Sequence, residues 1–254
     1  MLAGAFFVLY STANDTSVWG AYAAFTCGVL IWGWQQISFY MGVVTGPRKT
    51  ICAKGCSGWP HFLHAVQVSL YHEISIILSA GLCLWLSWGA PNQIGIWTFL
   101  ILWWMHESAR LNVFLGVRNV TEEFLPEHMA FLKSFLTKKP MNLLFPFSVT
   151  ISTLITMWTA QQALGAQTQF VAMAYSFITA LMALAVLEHW FLMLPLPAEK
   201  LWTWGLASRE PVLPEGAALS PVETARGAII DRDDKIMGRQ AQQESRKRVG
   251  VCNA

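Results

Sequence analysis

Long apolar runs constrain this chain more than any other feature of its sequence. Charged residues make up only 13% of its 254 residues, whereas soluble domains carry about 25%. An apolar run of about 20 residues is long enough to cross a bilayer as a helix. Since backbone groups in lipid must bond within their own segment, each crossing must be helical. The sequence therefore predicts an all-α, polytopic membrane protein embedded in a lipid bilayer.

Five of these runs have full length, and one, residues 1–10, has about half the length that a crossing needs. The short run indicates a truncated N-terminus, and the alternative is an N-terminal half-helix that packs on the other helices. Each full run covers the hydrocarbon core, which is about 30 Å thick. The five predicted spans are residues 18–44, 61–88, 93–116, 143–164 and 167–194.

The composition changes after Pro197. Trp202 and Trp204 stand beside Lys200, which is typical of a segment at the membrane interface. The sequence that follows is polar, with several prolines and a late basic run, and such a composition does not form a packed core. We therefore expect a helical membrane domain over residues 1–206 and a cytoplasmic, largely disordered tail over residues 207–254.

The 17 Lys and Arg residues predict the orientation of the spans. With alternating spans they all fall on one side, and the three short links on the opposite side contain none. The positive-inside rule makes the basic side cytoplasmic, which places the C-terminus inside. The net charge of +2 does not suggest a nucleic-acid partner.

Two of the five cysteines, Cys52 and Cys56, share the link between the first two spans. In a cytoplasmic loop their thiols stay reduced, and a separation of four residues would suit half of a zinc site. No second pair of cysteines completes such a site. The pattern therefore favours an ordinary glycine-rich loop.

Histidines and glutamates are the strongest indication of chemistry. All six histidines fall in the cytoplasmic half of the predicted membrane domain or in a cytoplasmic link, and four stand beside a glutamate. Ionisable residues in a membrane are costly and rarely accidental. From their positions along the predicted spans, these side chains reach the same leaflet from separate segments. We therefore expect them to form a shared site. Glu107 and Arg110, three residues apart on a helix, are expected to pair.

Several uses of this site remain open. Imidazole with carboxylate suits iron, manganese or zinc, and di-iron sites in helical bundles use this set, although usually with a Glu-x-x-His spacing that this chain lacks. A tetrapyrrole held by histidine, a proton-active or polar cavity, and an interhelical hydrogen-bond network are the alternatives. The candidate metal ligands are Glu73, His106, Glu107, Glu123, Glu127, His128, Glu188 and His189. The candidate cofactor-binding residues are His61, His64, His72 and Arg110.

The link between the third and fourth spans has a helical pattern of its own. Leu125, Met129, Leu132 and Leu136 recur at helical spacing, and Pro126 suits a first turn. The pattern predicts an amphipathic helix over residues 125–136 that lies at the cytoplasmic interface.

A series of motifs resembles a known family. The string LNVFLGVRNVTEEFLPEHMAFLKSF occupies residues 111–135, and it is accompanied by TGPRKT from Thr45, WGAPNQIGIWTF from Trp88, KKPMNLLFPFSV from Lys138 and EHWFLMLPLP from Glu188. Together these resemble the photosynthetic complex assembly proteins of purple phototrophic bacteria, the PuhE family, encoded near the reaction-centre H subunit.

The likeness covers nearly the whole predicted membrane domain. It implies a multi-pass protein of the bacterial inner (intracytoplasmic) membrane that acts in assembly of the reaction centre and its core antenna, or in bacteriochlorophyll supply to them. The implied partners are those subunits and bacteriochlorophyll or its biosynthetic machinery. The resemblance implies no catalytic residues. The residues alone leave an alternative, a membrane-bound, metal-dependent oxidoreductase, for example a di-iron enzyme, acting on a tetrapyrrole or quinone.

Overall fold

A computed structural model describes residues 1–53, 55–120 and 125–194. These residues form helices and connecting links, with no β-strand among them. Glu123 and the expected tail, residues 207–254, lie outside the described residues. The α-helices are α1 Leu2–Ser11, α2 Val18–Tyr40, α3 Gly58–Leu86, α4 Ile94–Leu115, α5 Leu144–Leu164 and α6 Gln169–Met193. A 3₁₀ helix, Glu127–Phe135, lies between α4 and α5.

The all-helical prediction is confirmed, and most helix ends fall within a few residues of the ends of the apolar runs. Side-chain caps begin two of them: Ser17 accepts from the backbone N–H of Gly20 at 3.0 Å, and Thr168 accepts from that of Val171 at 3.2 Å. The second helix ends at Tyr40, four residues before the end of its apolar run, because the chain turns there through Gly42 at φ 75°.

Two helices, α3 and α6, are long and apolar enough to cross a membrane. The apolar helix α1 has only 10 residues, fewer than a crossing needs.

Helices α2 and α4 pack closely at the centre of the described structure, with α1 beside α2 and with α5 paired to α6. A Cβ atom at Gly28 of α2 would lie 2.6 Å from the carbonyl oxygen of Gly95 on α4. Such a distance allows only glycine at this position. Around this crossing, Leu9, Ile31 and Phe99 are buried in the largest apolar core.

Asn92 ties two links together at one end of the helices. Its buried side-chain amide donates to the backbone carbonyls of Thr12, Asp15 and Gly20 at 3.0–3.1 Å. The α3–α4 link is thereby held against the α1–α2 link, and buried carbonyls that would lack partners are satisfied.

A helix forms in the α4–α5 link as expected, but it is 3₁₀, and its buried face matches the predicted one only in part, at Met129 and Leu132. Met129, Phe131 and Phe135 are buried, and they pack with Cys52 of the α2–α3 link and Val68 of α3. With three residues per turn, a 3₁₀ helix aligns other side chains than an α-helix does. Its apolar side packs on the protein.

Candidate functional site

A group of charged side chains joins α3 to α4. Arg110 of α4 pairs with Glu73 of α3, its Nη1 donates to Glu107 Oε1 at 2.8 Å, and its Nη2 donates to Ser69 Oγ at 2.7 Å. The predicted pairing of Glu107 with Arg110 is confirmed. Two carboxylates share one guanidinium, and this group, the Arg110 cluster, fixes the register of α3 against α4.

His72 lies one residue from this cluster but outside its hydrogen bonds. Its side chain is only 1% exposed, and its ring lies 4.7 Å from that of Phe39 on α2, between centroids. Among the described residues neither ring nitrogen has a hydrogen-bond partner. Buried polar groups are seldom left in this state.

Two other predicted imidazoles, His106 of α4 and His189 of α6, have different surroundings. The ring of His106 stands edge-on to Trp32, 5.3 Å between centroids. His189 is fully buried: its Nδ1 donates to the carbonyl of Ala185 at 2.8 Å, and its Nε2 accepts from Ser108 Oγ at 2.9 Å. A carbonyl can only accept, so the proton is on Nδ1. His189 thereby connects α6 to α4 with both nitrogens engaged.

The other predicted metal ligands that the structure describes, Glu127, His128 and Glu188, are exposed. His128 donates through Nε2 to the carbonyl of Tyr40 at 3.0 Å, Glu127 occupies the first turn of the 3₁₀ helix, and Glu188 lies on α6. In residues 1–53, 55–120 and 125–194 no imidazole is hydrogen bonded to a carboxylate. The structure thus brings Glu73, Glu107 and Arg110 together, and metal or cofactor binding by the predicted set stays a prediction.

A second constellation forms where the α2–α3 link meets the start of α3, and we call it the thiol–imidazole cluster: Cys52, Cys56, His61 and His64. His64 Nδ1 lies 3.5 Å from both Cys52 Sγ and Cys56 Sγ, and His61 Nδ1 lies 3.3 Å from Cys52 Sγ. A hydrogen bond with Cys52 raises the pKa of the Cys56 thiol above its usual value. A bound cation would reverse this effect.

The cysteines of this cluster were not among the sequence-predicted site residues. The signal was the order Cys-x₃-Cys-x₄-His-x₂-His, in which a histidine pair follows the cysteine pair. Two histidines can complete such a site in place of a second cysteine pair.

Comparison with known proteins gives a family. Residues 1–212 match the family described as "Protein of unknown function (DUF3623)". The chain belongs to that family. It is also 42% identical over 210 residues to an uncharacterized 30.4 kDa protein in the puhA 5′ region of Rhodobacter capsulatus, a match that covers 83% of this chain and 77% of that protein. No solved structure matches the chain. A relative of this chain is thus encoded near puhA, in a photosynthesis gene region.

Proposed function

We propose that this protein is a membrane factor for assembly of the photosynthetic reaction centre and its core antenna, or for bacteriochlorophyll supply to them. The observation that carries the proposal is the relative in the puhA 5′ region, at 42% identity. Two proteins that are 42% identical over most of their lengths are expected to have the same role. The motif resemblance to the PuhE family supports the same assignment.

We further propose that five helices, α2 to α6, cross the inner membrane and that the C-terminus is cytoplasmic. Large apolar side chains are more than half exposed along these helices, among them Leu78, Trp104, Leu154 and Leu184. Soluble monomers rarely expose so much apolar surface, and lipid would cover it. The one-sided placement of the basic residues supports the orientation. A reporter at Ala254 that is active only in the periplasm would contradict it.

The described geometry supports an assembly role more than an oxidoreductase. A di-iron centre needs carboxylates that are free to bridge metals. Glu73 and Glu107 instead share Arg110, and both nitrogens of His189 are engaged within the protein. The Arg110 cluster and His189 therefore hold the helices in register. A rigid helical body of this kind suits a protein that acts by contact with its partners.

Pigment ligation by the predicted imidazoles is less well supported than subunit contact. A histidine that binds the magnesium of a bacteriochlorophyll must present a nitrogen to an open macrocycle site. His72 is 1% exposed, and the ring of His61 is stacked between those of Phe114 and Phe135, at 5.4 and 5.2 Å. Contact with the subunits is therefore the better supported form of the proposal.

Deleting the coding sequence in its phototrophic host tests this role. We expect the reaction-centre and core-antenna absorption of isolated membranes to fall several-fold, with transcripts of the subunits unchanged, and an intact copy of the gene to restore it. A loss of assembly leaves total bacteriochlorophyll synthesis intact, whereas a loss of supply changes the pigments that accumulate. Membranes with unchanged core-complex absorption would contradict both forms of the proposal.

A further inference from the structure

We propose that Cys52, Cys56, His61 and His64 form a zinc site that clamps the α2–α3 link to the start of α3. The ligand atoms of Cys52, Cys56 and His64 all lie within 4.8 Å of one another. His61 is the nearest fourth ligand: its Nδ1 is 3.3 Å from Cys52 Sγ, but it lies outside the 4.8 Å group that the other three form, so its ring must shift to complete the site. Two thiolates and two neutral imidazoles would leave Zn²⁺ electrically neutral. This site does not depend on the proposed role in photosynthetic assembly.

The distances match those of tetrahedral zinc. With Zn–S bonds of about 2.3 Å and Zn–N bonds of about 2.0–2.1 Å, a sulfur and a nitrogen ligand lie about 3.6 Å apart. The sulfur–nitrogen distances are 3.5 Å from His64 to each cysteine and 3.3 Å from His61 to Cys52. The ligand atoms of Cys52, Cys56 and His64 are therefore close enough together to share one ion, and His61 completes the tetrahedron by moving toward them.

The local sequence builds this geometry. His61 and His64 are three residues apart in the first turns of α3, so they share a face of the helix. The link returns the cysteines to that face through Gly55 and Gly58, whose φ angles of 87° and 66° favour glycine. The backbone N–H of Cys56 donates to Ala53 at 3.1 Å, which closes a turn between the two thiols.

Neighbouring groups hold two of the four ligands in place. The backbone N–H of Cys52 donates to Ser134 Oγ of the 3₁₀ helix at 3.1 Å. The ring of His61 is stacked between Phe114 of α4 and Phe135 of the 3₁₀ helix. A metal here would therefore connect the link, α3, α4 and the 3₁₀ helix.

The length of the α2–α3 link is a further reason to expect a metal that fastens it to α3. Residues 41–57 join α2 to α3 without a helix or strand among the described residues. Links longer than about 12–15 residues without secondary structure are uncommon in compact domains. A metal that closes a loop stabilises the folded state through its binding free energy.

Zinc is favoured over the other uses of such ligands. The four cysteines of the described residues are free, which leaves both thiols available as ligands. A mixed sulfur and nitrogen tetrahedron is typical of zinc or of iron–sulfur centres. A two-iron cluster would separate the cysteine pair from the histidine pair, whereas here each imidazole contacts Cys52.

Metal analysis of the full chain tests the site. The protein is purified in detergent with a tag free of histidine and cysteine, and zinc is measured by mass spectrometry. We expect about one zinc ion per chain. The Cys52→Ser/Cys56→Ser variant should bind at least about tenfold less zinc per chain than the wild-type protein. The matched control is Cys27→Ala/Cys83→Ala, which removes two buried thiols from α2 and α3 and should retain the zinc.

A second measurement covers the case in which the double serine variant does not fold. Cobalt added to the metal-free wild-type protein should give the thiolate charge-transfer and d–d bands of a tetrahedral site, and His64→Ala should weaken them. Three results would overturn the proposal: wild-type protein that binds no zinc after incubation with it, a folded double serine variant that keeps its zinc, or iron in place of zinc with a visible spectrum.

Discussion

Replacing Arg110 with methionine should lower the free energy of unfolding by about 2–3 kcal/mol. The change leaves Glu73 and Glu107 facing each other without their shared guanidinium. Removing one partner of a fully buried ion pair costs about 3–5 kcal/mol. We expect less here because 35% of the Arg110 side chain is exposed. Unfolding of the purified protein in detergent, followed by helical circular dichroism against denaturant, measures the difference.

Two variants show whether the loss comes from the unpaired carboxylates. Arg118→Met removes the same charge from an exposed position and should change stability by less than about 0.5 kcal/mol. Combining Arg110→Met with Glu73→Gln and Glu107→Gln removes the unpaired charges, so part of the stability should return. If Arg110→Met and Arg118→Met have the same effect, the Arg110 cluster does not hold α3 to α4.

Replacing Gly46 with alanine should lower the free energy of unfolding by about as much as Arg110→Met does, but for a steric reason. A Cβ atom there would lie 2.0 Å from the carbonyl oxygen of Gln67 and 2.6 Å from the carbonyl carbon of Val68, both on α3. Backbone atoms cannot rotate away as a side chain can, so the whole α2–α3 link must move. Overpacking costs about 1–3 kcal/mol, and we expect the upper end of that range. The same unfolding measurement applies.

Gly81→Ala is the matched control for this substitution. Gly81 also lies on α3, and a Cβ atom there would have nothing within 4 Å. Alanine is favoured over glycine in a helix interior by about 1 kcal/mol, so stability should stay equal or rise. Equal losses for the two alanine variants would show that Gly46 does not pack against α3.

Helix positions could be predicted from the sequence, because an apolar run and a polar link differ in composition over many residues. The pairing of Glu107 with Arg110 could also be predicted, since both lie on one helix and three residues apart. The part played by Glu73 could not, because it requires the relative rotation of α3 and α4. Helix periodicity alone does not determine that rotation.

The sequence also does not reveal which glycines lie at helix crossings or which cysteines meet histidines, because both depend on how separate segments pack. Gly28 lies at the α2–α4 crossing, whereas a Cβ atom at Gly33 on the same helix would contact nothing within 4 Å. The apolar sequence around both is similar. Cys52 and Cys56 reach His64 only because the α2–α3 link folds back onto α3, and that return depends on the close contact of Gly46 with the α3 backbone.

Pulse labelling in the phototrophic host tests the assembly role most directly. The chain is isolated from membranes through a small tag after a short pulse of labelled amino acids, and again after a chase. We predict that newly made reaction-centre or core-antenna subunits accompany the chain after the pulse and leave it during the chase, as they enter finished complexes. Labelled subunits that never accompany the chain, while finished complexes form at the normal rate without it, would contradict the account.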